Sequence, residues 1–172
     1  GPPGRALTHR LTVIGTVHSV TRLLFHCHSV HEAPVRRQPA LALRLLQDGV
    51  AVVDQLASCD WIRHHRHCLI TGPTGAGKSE LALGLAEQLG GEIVGADSIQ
   101  LYRRLDIGSA KPTAAERARV PHHLVDRVDP RSEYTAADFA EDAAQAVDEI
   151  AGRGAVPIVV GGSALYQRAL LR

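Results

Sequence analysis

Hydrophobic and polar positions along this chain lack a clear period before residue 68 and become regular after it. Cys68 to Thr71 is a short apolar run leading into glycine-rich sequence, which predicts a buried strand. Leu81, Leu85 and Leu89 recur at a spacing of four and predict a helix over 80–89, halted by Gly90 and Gly91. Residues 92–96 predict a second strand ending at Asp97, and 123–128 a third, with His122 and His123 near its start. Between 135 and 151 the pattern is that of an amphipathic helix. Thr135 is placed to cap it, Asp138 sits at the third helical position, and Phe139, Ala143, Ala146, Val147 and Ile150 form its apolar side. Residues 156–160 form a continuous apolar strand ending at Gly161 and Gly162. Unbroken apolar strands alternating with helices predict an α/β fold, a parallel sheet with helices on both faces. Such sheets bind ligands beyond the carboxyl ends of their strands, where the segments at Gly72, Asp97 and Gly161 all fall.

The charge distribution marks the same seam. Residues 1–67 hold eight arginines and eight of the ten histidines against four acids, whereas residues 68–172 hold eleven Lys and Arg against fourteen acids. The two nearly cancel, so a net charge of +1 excludes binding to nucleic acid by bulk charge. No stretch approaches the ~20 apolar residues of a membrane span, and three cysteines without repeated spacing point to a reducing compartment. The expected organisation is a poorly ordered or non-homologous extension over 1–67, followed by one domain over 68–172. Within the extension Leu41, Leu45, Val52 and Leu56 could line a helix, but Gly49 interrupts them. His26, Cys27, His28 and His31, with Cys59, His64, His67 and Cys68, are metal-ligand types, yet their spacing matches no familiar zinc module.

The candidate chemistry begins at Gly72-Pro73-Thr74-Gly75-Ala76-Gly77-Lys78-Ser79, a complete G-x-x-x-x-G-K-[ST] loop between a predicted strand and a predicted helix. Glycines let such a loop wrap so that backbone N–H groups converge on phosphate oxygens, and the helix N-terminus adds positive potential. Lys78 supplies a charge for the terminal phosphate, and the Ser79 hydroxyl suits Mg²⁺. The pattern predicts a phosphate-loop, nucleotide-binding type of domain without saying which phosphate compound is held. Asp97, at a strand end facing the loop, reads equally as a general base or as a carboxylate beside Mg²⁺.

Further segments resemble one family, the tRNA dimethylallyltransferases, also called tRNA isopentenyltransferases. They are the phosphate loop, Asp97-Ser98-Ile99-Gln100, Asp106 to Pro112, Pro121 to Asp126, Tyr134 to Phe139, and Val160 to Tyr166. The resemblance spans Cys68 to Arg172. It implies transfer of a dimethylallyl group from dimethylallyl diphosphate to N6 of the adenosine next to the anticodon of a tRNA. It further implies a cytoplasmic enzyme, expected to be a monomer without membrane attachment, that uses Mg²⁺ and recognises the anticodon loop. By the same resemblance Asp97 is the general base, and Ser163 supplies a hydroxyl near the transferring oxygen where the family usually has Thr. Asp97, Ser98, Ile99, Gln100 and Lys111 face the tRNA. For Ser98 and Gln100 a capped turn is the other reading, and for Lys111 a solvated loop lysine. Tyr102 and Tyr166 read more readily as core than as base-stacking platforms and are left without a role.

The family continues well past the point matching Arg172, so the domain is expected to be truncated at the C-terminus and inactive by itself. The alternatives are a small phosphate-loop kinase, an adenylate isopentenyltransferase, or a nucleotide-binding fragment without catalysis.

Overall fold

The computed structural model describes residues 68–71, 74–75 and 77–170 in full and, by backbone alone, residues 12–19, 22–28 and 42–43. In chain order the elements are β1 (Thr12–Ser19), β2 (Arg22–His28), β3 (Ala42–Leu43), β4 (Cys68–Thr71) and α1 (Lys78–Leu89). They continue with β5 (Gly91–Gly95), α2 (Ala114–Arg119), β6 (His122–His123), α3 (Ala136–Gly152), β7 (Val156–Gly161) and α4 (Ala164–Leu170). The strands lie in the order β3-β2-β1-β4-β7-β5-β6. From β4 to β6 every pairing is parallel. β1 joins β4 in parallel, while β1 with β2 and β2 with β3 run antiparallel. The side chains considered above as metal ligands before Cys68 lie outside the described residues.

Consecutive residues of each inner strand enter opposite cores, as the pleat requires. Ile70, Ile93 and Ile158 pack with Leu81, Ala82, Leu85 and Ala86 of α1 on one face. Leu69, Val94 and Val159 pack with Phe139, Ala143, Val147 and Ile150 of α3 on the other. This is the expected parallel sheet covered on both faces. The five apolar positions read for α3 are its five buried residues, and Thr135 with Asp138 forms a complete capping box. Tyr166 of α4 is buried and stacks on Phe139 with ring centroids 4.3 Å apart.

Two expectations need correction. The strand expected over 123–128 is confined to His122–His123, followed by a lone bridge between Tyr102 and Val128. Leu124 and Asp126 adopt φ of 58° and 55°, and left-handed residues cannot continue a strand. A helix not anticipated from the pattern, α2, is nucleated by a second capping box between Thr113 and Glu116. Its signal was present as Thr-x-x-Glu, without an apolar face to draw attention to it.

The edge of the sheet is held by Glu92, whose side chain is 12% exposed. It accepts from Arg153 beyond α3 at 2.7 Å and contacts Nε2 of His123 on β6 at 2.6 Å. The Arg153 hydrogen bond, opposed by burial and assisted by His123, pulls the Glu92 carboxyl from 4.5 down to about 2. A folded pKa below the unfolded one contributes stability above pH 4.5 that is lost as pH falls toward 2. Urea unfolding across that window should show stability falling with acidity, and Glu92→Gln should flatten the slope. An unchanged slope in the variant would place the acid sensitivity elsewhere.

Candidate functional site

The carboxyl ends of β4, β5 and β7 bring three segments together. β4 delivers the phosphate loop, in which Thr74, Gly75, Gly77, Lys78 and Ser79 are described and Gly72, Pro73 and Ala76 lie outside the described residues. Gly75 and Gly77 have φ of +78° and +81°, a left-handed geometry that glycine adopts without strain. A Cβ at either would meet nothing within 4 Å, so the loop borders open space. α1 begins directly after it, with Lys78 half-buried and Ser79 exposed in the first turn. Burial lowers the Lys78 ammonium from its ordinary pKa, and the charge of Asp97 opposes that shift. The loop lysine and the candidate base therefore lie within each other's field, as expected for one site.

Asp97 follows β5 through Ala96. Its Oδ1 accepts the backbone N–H groups of Ile99 at 2.8 Å and Gln100 at 3.1 Å, so one oxygen caps the 98–101 turn. Its Oδ2 accepts no hydrogen bond among the described residues. This arrangement fixes the carboxylate while leaving one oxygen for chemistry. Ser163 joins it through the backbone. Ala96 N–H donates to Val160 O at 2.7 Å, and Ser163 N–H donates to Ala96 O at 3.4 Å. The half-buried Ser163 precedes α4, and its carbonyl accepts the Gln167 N–H at 3.0 Å.

Other expected residues are placed differently. The Gln100 amide donates to the carbonyls of Ser109 at 3.1 Å and Ala110 at 2.8 Å, tying the two loops together. The capped-turn reading describes this geometry, with the amide oxygen as the remaining polar atom. Ser98 and Ile99 are exposed beside it, Ile99 at 53%. Lys111 is the clearest correction. Its side chain is 6% exposed, and Nζ donates to Tyr102 O at 2.8 Å, Asp106 Oδ1 at 2.9 Å and Asp126 Oδ1 at 2.6 Å. All three ammonium donors are engaged, so Lys111 neither neutralises an external phosphate nor stands as a solvated lysine. Burial opposes its charge, but hydrogen bonds to Asp126 and Asp106 outweigh that and raise its pKa. Arg117 adds a second contact to Asp126 at 2.7 Å, which closes the cluster.

Sequence reasoning passed over Gln167. It is 8% exposed, accepts from Thr71 Oγ1 at 2.7 Å, and donates to Gly161 O at 2.7 Å. A polar residue on the buried side of α4, between Tyr166 and Leu170, was the available signal. Cys68, the one metal-ligand candidate described, is fully buried, and burial pushes its thiol up to about 12, far from a thiolate ligand. No group of three or more His, Cys, Asp or Glu suited to a metal occurs among the described residues.

Residues 100–172 match the family model described as IPP transferase, and residues 46–122 that of IstB-like ATP binding protein. The chain is 61% identical over 103 residues to tRNA dimethylallyltransferase 1 of Citrifermentans bemidjiense, covering 60% of this chain and 34% of that protein. It is 61% identical over 101 residues to the tRNA dimethylallyltransferase of Halorhodospira halophila, covering 59% and 33% respectively. Among solved structures, the tRNA isopentenylpyrophosphate transferase of Bacillus halodurans superposes with a TM-score of 0.58 at 45% identity, covering 60% of this chain and 34% of that one. The Staphylococcus epidermidis enzyme gives 0.58 at 39% identity over the same shares. The chain spans about a third of the length of the curated relatives it matches. Along that shared stretch it is similar to proteins named tRNA dimethylallyltransferase.

The contact that draws Asp97 and Ser163 together is testable. A Cβ at Gly161 would lie 2.0 Å from Ala96 O and 2.3 Å from its carbonyl carbon, backbone atoms that cannot rotate away. Gly161→Ala should destabilise the fold by about 1–3 kcal/mol, the usual cost of overpacking. Gly152→Ala, where a Cβ meets nothing within 4 Å, should be neutral or slightly stabilising. Urea unfolding of both variants compares them, and equal stability would remove the steric constraint.

Proposed function

We propose that residues 68–172 form a phosphate-loop unit of a tRNA dimethylallyltransferase, moving a dimethylallyl group from its diphosphate to N6 of the adenosine beside the anticodon. The observation that carries this reading is a phosphate-loop lysine that feels the charge of Asp97, a turn-capping aspartate whose second oxygen accepts no hydrogen bond among the described residues. The support from relatives is that they are named tRNA dimethylallyltransferases, and that a solved eukaryotic dimethylallyltransferase acting on tRNA is 39% identical, with a TM-score of 0.57, over 59% of this chain and 25% of that one.

The chemistry assigns each group a task. The allylic C–O bond breaks with its electron pair leaving on the diphosphate, and the prenyl carbon turns positive. Loop N–H groups and Lys78 stabilise the departing charge, and the Ser163 hydroxyl would donate to the transferring oxygen. N6 forms the new C–N bond and loses its proton to Asp97 Oδ2. The exposed Ser79 hydroxyl is the side chain that would hold Mg²⁺. Few protein ligands and retained waters are ordinary for this ion. When bound, it neutralises diphosphate charge. Ser98, Ile99 and the Gln100 amide oxygen form the acceptor side in this reading, with Lys111 holding their loop from beneath. The proposed location is cytoplasmic; no described helix is long and apolar enough to cross a membrane.

Calorimetry with pyrophosphate tests the phosphate assignment. Lys78→Ala should weaken binding by about 2–3 kcal/mol, the scale of a charge-assisted hydrogen bond. Unchanged affinity would remove the loop from the site.

Asp97 is tested in a full-length enzyme carrying this segment. Asp97→Ala should lower turnover by roughly 10²–10⁴-fold, as general-base removal does, with little change in donor affinity. Matching losses in both would make Asp97 a metal-site residue, and a phosphorylated product would favour the kinase alternative.

A further inference from the structure

We infer that Gln167 is a positioning residue, a carboxamide latch that keeps the diphosphate seat in register with the Asp97–Ser163 wall. The inference rests on the diphosphate reading above and extends it to a residue that touches no reacting atom. Thr71 ends β4 immediately before the phosphate loop, and Gly161 ends β7 immediately before Gly162 and Ser163. The two are register partners in the parallel pairing of β4 with β7. The register of this pairing ends with them.

Gln167 spans this point with both ends of one planar group. Its oxygen accepts from the Thr71 hydroxyl at 2.7 Å and its nitrogen donates to the Gly161 carbonyl at 2.7 Å. The polarity is specific, since the Gly161 carbonyl can only accept and must meet a donor. At 8% exposure, water competes poorly for either bond. Gly161 in turn abuts Ala96, and Ala96 leads to Asp97. A shift of Gly161 relative to Thr71 would therefore move the base and Ser163 against the loop that holds the diphosphate. α4 supplies the latch from a rigid position, because Tyr166 beside Gln167 is stacked on Phe139.

The test uses this chain with pyrophosphate as the probe, in calorimetry and thermal unfolding, on Gln167→Glu, Gln167→Leu, Thr71→Val and the Thr71→Val/Gln167→Leu double variant. Gln167→Glu keeps the size and the acceptor for Thr71 but removes the donor to Gly161. The expected result is a roughly tenfold loss of affinity in each single variant, the scale of one hydrogen bond. The double variant should be no weaker than the worse single one, because both substitutions open the same latch. Thermal unfolding keeps the outcome readable, with affinity measured well below each midpoint. Folded Gln167→Glu and Gln167→Leu proteins binding pyrophosphate as the parent does would overturn the latch. If Lys78→Ala still weakened binding as stated above, the phosphate-site reading would stand without it. A parent chain that binds no pyrophosphate would overturn both.

Discussion

The site depends on a single close approach, the backbone of Gly161 against that of Ala96. Parallel strands β5 and β7 are hydrogen-bonded up to Gly95 and Val160, and the pairing then continues for one more step outside regular geometry. The absence of a side chain at Gly161 lets Ala96 remain in contact with β7. Asp97 and Ser163 consequently leave the sheet side by side, although 66 positions of sequence separate them. The phosphate loop follows β4 on the other flank of β7, so this central strand sets the spacing between the loop charge and the carboxylate proposed to accept a proton. Such spacing matters because misplacement of a reacting group by about 1 Å can cost 10²-fold in rate.

A second constraint acts beneath the acceptor side. The segment from Ser98 to Val128 contains little regular structure, and Arg104, Ala110, Leu124 and Asp126 all adopt positive φ. Conformations of this kind persist where surrounding contacts over-determine them. The contacts here are polar: Lys111 joins Tyr102, Asp106 and Asp126, Arg117 reaches Asp126 and Pro112, and the Gln100 amide holds Ser109 and Ala110. A charged cluster can serve where an apolar core cannot, because its directional hydrogen bonds fix the loops relative to one another. The exposed Ile99, Leu105 and Ile107 lie on this polar scaffold rather than in the core.

The fold was legible in the sequence where one physical rule governed a whole segment. The α3 helix was readable from its cap to its buried face, since apolar periodicity and the Thr135 capping box agree. The strands ending at Thr71 and Gly161 were legible because a parallel sheet buried on both faces requires continuous apolar runs. The segment 123–128 departs from the expected strand because Leu124 and Asp126 adopt left-handed geometry, and Asp126 is held by Lys111 from outside the segment. Lys111 was misread for a similar reason. A lysine in a loop sequence gives no sign that three acceptors from positions 102, 106 and 126 will converge on it. Gln167 left a faint trace, a polar side chain on an otherwise apolar helix face, but its partners at 71 and 161 become visible only when strand order is known.

What distinguishes the candidate catalytic atoms from their neighbours is the state of their hydrogen bonds. Asp97 Oδ1, the Gln100 amide nitrogen, the Lys111 ammonium and the Gln167 carboxamide are all engaged with partners inside the chain. Asp97 Oδ2 and the hydroxyls of Ser79 and Ser163 have none among the described residues. The engaged groups hold the frame, and the open ones lie at the end of the sheet where a parallel fold admits its ligand. Electrostatic stabilisation of a transition state requires this division, because donors and acceptors already fixed in place need no reorganisation when charge develops. A frame built from satisfied polar groups around a few that are open among the described residues is the physical basis of the chemistry proposed above.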